Sequence, residues 1–218
     1  MTHAALKVGI SDQAQESLRN ETRNIREVSQ LLDPPLAVPL IEEHHEGVIV
    51  MEPIAWKMRP DRFELPPVPA SVLGRLFAKT SHVEDQMPRG RTRGDFAPWN
   101  ILWDGNRWVL INWEQSQSDG LPFFDIFHHV VQSHALFDYP SAKAIIDGFL
   151  LDNQLARSLQ LFASAAGVDP NLAAALFPRY LTESPQNLDE RAPGYEKGLS
   201  ARKNLEFLWH EHVSRVVD

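Results

Sequence analysis

The first part of the chain carries a pattern of apolar and polar positions that predicts a small sheet with one helix. The run "ALKVGI" at 5–10 is strand-like, and the apolar residues within 11–33 recur near i, i+3, i+4 and i+7, which indicates an amphipathic helix. Pro34-Pro35 ends this helix, because the residue before a proline disfavours helical backbone. The segments "AVPLIEE" and "GVIVMEPI" then predict two strands joined by a polar turn at 44–46.

The remainder of the chain is predicted to contain a connector, a hairpin and a mainly helical region. Residues 57–70 are rich in proline and charge and are expected to form the connector, and 71–82 are expected to form a short helix. Strand-forming runs on either side of Asp104-Gly105-Asn106 predict a tight hairpin. Three apolar stripes at helical spacing follow: Ile145, Ile146 and Phe149; Leu155, Leu159 and Phe162; and Leu205, Leu208, Trp209, His212 and Val216.

Together these elements predict an α+β fold. Residues 1–54 hold a strand, a helix and two further strands, whereas residues 55–218 hold the hairpin and the helices. A chain of 218 residues can bury a substantial core, as one domain of two lobes or as two small domains.

Composition narrows the classes of function. A net charge of −8 argues against a general nucleic-acid or anionic-membrane surface, and the absence of cysteine excludes disulfides and thiolate zinc sites. No apolar run approaches the roughly 20 residues needed to cross a bilayer, and the first twenty residues have no signal-peptide core. We therefore expect a cytoplasmic protein that binds neither nucleic acid nor membrane; its oligomeric state is left open.

Three polar residues are expected to gather at one end of the hairpin. Folding the chain at Gly105 brings Asn100 beside residues 110–112, and Asp95 lies on the loop that leads in. A carboxylate can accept the proton of a hydroxyl nucleophile, and carboxylate and amide oxygens are ligands for Mg²⁺, so Asp95, Asn100 and Asn112 have the chemistry that phosphoryl transfer needs. In a simpler interpretation, Asp95 is a turn residue and Asn100 bonds its own backbone.

The sequence around these residues resembles a known family. "GDFAPWNIL", "INWE" and "GLPFFDI" follow one another at fitting distances. They resemble the catalytic loop, the metal-binding segment and the loop-bracing segment of the aminoglycoside phosphotransferase and choline kinase group. That group has a protein-kinase-like fold of two lobes. The resemblance implies a reduced N-terminal sheet lobe at 1–54, ending in a hinge, and a larger, mainly helical C-terminal lobe at 55–218.

The resemblance also implies cofactors and roles. It implies ATP and Mg²⁺ as cofactors and a small-molecule hydroxyl as the acceptor. Asp95 matches the catalytic base, and Asn100 and Asn112 match the two metal ligands. Asp125 matches an aspartate that braces the catalytic loop. The remaining matches concern the nucleotide. Lys7, with its ion-pair partner Glu21, matches the lysine that holds the phosphates. Met51 and Glu52 match the segment that joins the lobes and meets the adenine.

Three departures from the family pattern leave two functions open. The six residues before Lys7 cannot supply the two strands and phosphate-covering loop of the family, so either the lobe is reduced or the chain is a fragment. Arg93 replaces a histidine that supports the loop, and Asn112 replaces the main metal-binding aspartate. The alternatives are an active small-molecule phosphotransferase and a catalytically impaired pseudokinase that acts as a binding or regulatory module.

The acceptor is not identified by the sequence. In this family the helical part builds the acceptor pocket, here roughly residues 130–218. Asp138 and Asp147 suit a cationic acceptor, and ordinary solvated helix faces explain them equally well.

Overall fold

The computed structural model describes residues 4–45, 47–59, 61, 63–184 and 194–212, and these form an α+β fold with three small sheets. None of the helices in these ranges is long and apolar enough to cross a bilayer. In chain order the elements are β1 (Ala5–Val8), α1 (Asp12–Ser29), β2 (Leu36–Ala37), β3 (Ile41–His45), β4 (Val48–Met51), α2 (Pro67–Thr80), β5 (His82–Glu84), β6 (Met87–Thr92), β7 (Ile101–Trp103), β8 (Trp108–Leu110), β9 (Gln117–Gly120), α3 (Phe124–Phe137), α4 (Ala142–Asp147), α5 (Gln154–Ala166), α6 (Leu172–Glu183) and α7 (Tyr195–His212).

The first sheet has the order β1-β4-β3 and is antiparallel throughout, with α1 packed against it. The Ser11 side chain caps α1 by accepting the Ala14 N–H, and Ile25 and Val28 turn from the helix into the core. The predicted strand, helix and two strands are therefore confirmed. The predicted turn at 44–46 was placed too early, because β3 continues to His45; position 46 lies outside the described residues.

The second sheet contains the predicted hairpin, which is confirmed. Strands β7 and β8 pair in antiparallel register, and the Asp104 carboxylate closes the turn by accepting the backbone N–H groups of Asn106 and Arg107 at 2.8 and 3.0 Å. These hydrogen bonds, with that of the Arg107 side chain, lower the pKa of Asp104 to about 2. The segment "AVPLIEE" (37–43) was predicted as one strand, but its first residue, Ala37, belongs with Leu36 to the separate strand β2, which pairs in parallel with β8.

The third sheet, β5-β6-β9, was not predicted. The region before it also differs from the prediction: α2 begins at Pro67, inside the expected connector, and ends at Thr80, so that His82 starts a strand. Proline is tolerated in the first turn of a helix because the N–H it lacks would have no partner there. Strand β9 has the sequence QSDG and is largely exposed, so it has no apolar alternation to detect.

The C-terminal helices contribute to a single hydrophobic cluster that also takes in the first sheet. It runs from Ile25 and Ile49 to Trp209, whose ring lies 5.3 Å from that of Phe177. The three predicted apolar stripes lie on α4, α5 and α7, although Phe149 lies just beyond the end of α4. Val216 falls outside the described residues. The division into two lobes, 1–54 and 55–218, stays a prediction.

Candidate functional site

The loop that carries Asp95 is fixed by a glycine and a buried carboxylate. Gly94 has φ +84°, and a Cβ there would lie 2.2 Å from the Gln115 carbonyl oxygen, so only glycine fits. Asp125, at the start of α3, accepts the N–H groups of Arg93 and Gly94 at 2.8 and 2.9 Å. This is the bracing role that the resemblance implied for Asp125, and it sets the direction in which Asp95 leaves the loop.

Arg93 holds the segment that carries Asn112. Its side chain is fully buried, and Nη2 donates to the carbonyl oxygens of Ile111 and Asn112. Asn112 itself has φ +60°, a left-handed conformation that asparagine tolerates better than most residues. Burial lowers the pKa of Arg93, while the carboxylates of Asp95 and Asp125 act in the opposite direction. Arg93 therefore supports the loop, as the histidine that it replaces does in the family pattern.

Five of the seven predicted site residues form one unbroken hydrogen-bonded path. The Lys7 ammonium contacts both oxygens of Glu21, at 2.7 and 2.8 Å, and donates to Asn112 Oδ1 at 2.7 Å. Asn112 Nδ2 donates to Asn100 Oδ1 at 2.8 Å. Asn100 Nδ2 in turn donates to Asp95 Oδ2 at 2.8 Å and to its carbonyl oxygen at 3.0 Å. The structure thus brings together residues that are up to 105 positions apart in the sequence.

Beyond Asp95 the path continues through residues that the sequence analysis missed. His128 Nε2 lies 3.0 Å from Asp95 Oδ1, and the Tyr180 hydroxyl lies 3.4 Å from His128 Nδ1. Arg202 donates to the Tyr180 oxygen at 3.3 Å. Because a carboxylate only accepts, His128 donates its Nε2–H to Asp95 Oδ1. The sequence contained one indication of this role: His128 follows the loop-bracing Asp125 by one helical turn, so the two side chains lie on the same face of α3.

The environment of Asp95 favours its ionised form. Burial, the largest influence, raises its pKa, but the hydrogen bond and charge of His128, the charge of Arg93 and the hydrogen bond of Asn100 together outweigh burial. The pKa of Asp95 therefore lies below its usual value. Both carboxylate oxygens are oriented by neighbours, one by His128 and the other by Asn100.

Asp95 opens onto a cavity of about 360 Å³. Its lining combines aromatic rings with amide and hydroxyl groups, among them Trp99, Phe124, Tyr195, Gln115, Gln132 and Ser184. The acidic residues that the sequence offered for an acceptor lie elsewhere. Asp147 pairs with Lys143 at 2.6 Å, and the exposed Asp138 lies 3.4 Å from His134.

Met51 and Glu52 make contacts outside the path. Met51 is buried in β4 between Ala5 and Ile41. Glu52 donates its N–H to Leu40, and its carboxylate accepts from the Leu40 N–H and from Arg107.

A separate, mostly apolar cavity of about 540 Å³ is lined by Ile111, the residue before Asn112, and by Leu102, Trp103, Trp56 and Met58 among others.

The donor set does not fit Mg²⁺ in the arrangement seen. The resemblance assigns the ion to the side-chain oxygens of Asn100 and Asn112, and each already accepts a hydrogen bond from within the path. Both are neutral amides, whereas Mg²⁺ is usually held by at least one carboxylate. In the described part of the chain, no group of three or more His, Cys, Asp or Glu side chains is placed to hold a metal ion.

Comparison with known proteins does not identify a family. No protein-family model matches the chain, and no curated protein matches it. Two solved structures of WbdD are similar: a co-crystal structure with the kinase inhibitor LY294002 (19% identity, TM-score 0.39, 73% of this chain and 39% of that chain) and a crystal structure of WbdD (18%, 0.42, 94% and 44%). The chain thus spans about two fifths of the length of these WbdD chains. Both TM-scores are below 0.5, so the function proposed below rests on the geometry of the site.

Proposed function

We propose that the protein is an ATP-dependent phosphotransferase that moves the γ-phosphoryl group of ATP to a hydroxyl group of a small molecule. The observation that carries this proposal is the unbroken path from the Lys7–Glu21 ion pair to Asp95, which ends at a cavity large enough for a small acceptor. A fixed cation at one end and an ionised carboxylate at the other are two of the groups that such a transfer uses.

The nucleotide is assigned to the Lys7 end. The Lys7 side chain is one-third exposed, and its partner Glu21 is almost completely buried, so the ion pair holds the ammonium in place on a side chain that a phosphate can still reach. The apolar cavity beside Ile111 suits a nucleobase, because a flat aromatic ring gains from burial against apolar side chains. Neither Met51 nor Glu52 lines this cavity, so their roles toward the adenine stay predictions of the resemblance.

The transfer itself is assigned to Asp95. The acceptor hydroxyl loses its proton to the Asp95 carboxylate while its oxygen forms a bond to the γ-phosphorus, and the bond from that phosphorus to the leaving ADP oxygen breaks. His128 and Asn100 hold the two carboxylate oxygens, which keeps Asp95 ionised and aimed before the acceptor arrives. Holding the reacting groups in place supplies much of the rate in this kind of chemistry.

A second candidate function is a pseudokinase, a module that binds a nucleotide without transferring its phosphate. One observation favours it: Asn112 places a neutral amide where the family pattern has a carboxylate that would bind the metal cation accompanying the phosphates. Two charges about 4 Å apart interact with roughly 1–4 kcal/mol at realistic effective dielectric, so the loss of one charge is enough to slow transfer strongly.

The test combines transfer and binding. The chain is incubated with ATP and a panel of small hydroxyl compounds, phosphorylated products are followed by ³¹P NMR, and ATP binding is measured by calorimetry. We expect a phosphorylated product with the native chain, and Asp95→Asn is expected to lower transfer at least about a hundredfold, since a general base contributes on that order. Asp152→Asn, at an exposed position, is the matched control.

Three outcomes of this test separate the two candidate functions. Binding of ATP without product in either protein favours the pseudokinase. Equal transfer by the native chain and by Asp95→Asn contradicts the assigned base. If neither protein binds ATP, both candidate functions are wrong.

A further inference from the structure

The hydrogen bonds around Asn112 have a direction that the chemistry of their partners determines. Lysine can only donate, so the Asn112 atom that faces Lys7 is the oxygen, and Nδ2 of Asn112 faces Asn100. The Nδ2 group of Asn100 donates to the carboxylate and the carbonyl oxygen of Asp95, which leaves its oxygen for Asn112. Between Lys7 and Asp95, every donor therefore points the same way, toward Asp95.

A carboxylate at position 112 would break this order. Its oxygen would face the Asn100 oxygen across the 2.8 Å that Nδ2 of Asn112 now spans, and two acceptors without a proton between them repel each other. A cation between the two oxygens relieves that repulsion, which is how a carboxylate and an amide oxygen form a divalent-ion site. With asparagine, the amide N–H closes the same gap directly.

The charges lead to the same conclusion. Lys7 and Glu21 offset each other, so Asp95 leaves one net negative charge on the path. A carboxylate at position 112 would add a second negative charge beside the nucleotide phosphates. The amide removes that repulsion, and the Lys7 ammonium, tied to Asn112 Oδ1 at 2.7 Å, is the cation beside it.

We infer that this site takes a nucleoside triphosphate without a divalent cation, because the amide of Asn112 makes the connection that a metal ion would otherwise make between positions 100 and 112. The inference rests on the proposed nucleotide binding, which it deepens by naming the form of the ligand: the free triphosphate rather than its magnesium complex. Lys7 is the group that meets its charge.

The first test uses the native chain. ATP is titrated calorimetrically into the full 218-residue protein, once in EDTA and once in excess Mg²⁺. The two dissociation constants are expected to agree within about threefold, a difference of well under one tenfold step in affinity. Binding that needs Mg²⁺, with a loss of about tenfold or more in EDTA, overturns the inference and leaves the proposed nucleotide site standing. No ATP binding in either buffer overturns the proposed function, and the inference with it.

The second test exchanges the amide for a carboxylate. Asn112→Asp is expected to bind ATP about tenfold or more weakly in EDTA and to regain affinity in Mg²⁺, since the new charge repels the phosphates until a cation offsets it. Asn204→Asp, the same change at an exposed position on α7, is the matched control and is expected to bind ATP like the native chain in both buffers. If Asn112→Asp binds equally in EDTA and Mg²⁺, the role given to Asn112 is wrong. The comparison on the native chain decides the inference even where this variant does not fold.

Discussion

At the scale of single residues, the properties of Asp95 depend on neighbours that lie far from it in the sequence. Asn100 is five positions away and was predicted from motif spacing, because both residues lie on one loop. His128 and Tyr180 reach the site only through the packing of α3 and α6, and the sequence offered no apolar stripe that placed α6. The site was therefore predictable where its residues share a local motif, and was missed where helix packing supplies them.

The contact between His128 and Asp95 leads to a prediction about the carboxyl group itself. Burial raises the pKa of Asp95, and His128 is the largest of the influences that lower it. His128→Leu removes its hydrogen bond and charge and leaves the carboxyl group buried, so the pKa of Asp95 is expected to rise. Carboxyl ¹³C NMR across a pH titration measures this directly, without any need for activity. In the proposed reaction, the acidic limb of the pH profile would move to higher pH, since the base must be ionised to act.

His212→Gln, at an exposed position near the end of α7, is the control for the loss of a histidine. It is expected to leave the titration of Asp95 unchanged. An unchanged pKa of Asp95 in His128→Leu would show that the hydrogen bond at 3.0 Å does not hold the carboxylate.

At the scale of elements, prediction succeeded where the local pattern and the tertiary structure agree. Helix α1 has its serine cap and apolar stripe, and the β7–β8 hairpin has Asp-Gly-Asn between two runs of strand formers. Strand β9 is polar and exposed, and β2 is only two residues long, so both depend on partner strands from elsewhere in the chain. Their pairing is a tertiary contact that residue periodicity does not record.

The loop between β6 and β7 supplies a prediction at this scale. Gly94→Ala combines a left-handed backbone with a Cβ placed 2.2 Å from the Gln115 carbonyl oxygen, so the loop must move and carry Asp95 with it. We expect a loss of unfolding free energy of about 2–4 kcal/mol, from left-handed strain of roughly 1 kcal/mol and the displaced backbone. Transfer is expected to fall as well, because the position of Asp95 changes.

Gly167→Ala is the matched control for this loop. Gly167 has φ +68° at the end of α5, but nothing lies within 4 Å of the added Cβ, so only the strain of about 1 kcal/mol remains. Urea denaturation of both variants separates the two contributions. Equal losses of stability would mean that the contact with Gln115 does not restrict the loop.

At the scale of the whole molecule, one hydrophobic cluster joins parts of the chain that the sequence assigned to separate lobes. Ile25 and Ile49, from residues 1–54, belong to the same cluster as Phe127 and Trp209 from residues 55–218. The polar path crosses the same boundary, since Lys7 on β1 donates to Asn112 after β8. Apolar burial and the polar site therefore tie the two predicted parts together, and neither part has a core of its own among the described residues.

This shared core predicts that the chain unfolds in one cooperative step. Tryptophan fluorescence, which reports mostly on residues 56–209, and far-UV circular dichroism should give coincident urea transitions, as small single domains usually do. A saturating nucleotide binds only the folded chain, so ATP at about 100 times its dissociation constant should add about 2.7 kcal/mol and shift both transitions equally. Lys7→Met should abolish this shift, because the cation assigned to the phosphates is gone. Two separate transitions, with ATP moving only one of them, would instead show that residues 1–54 and 55–218 fold as independent units.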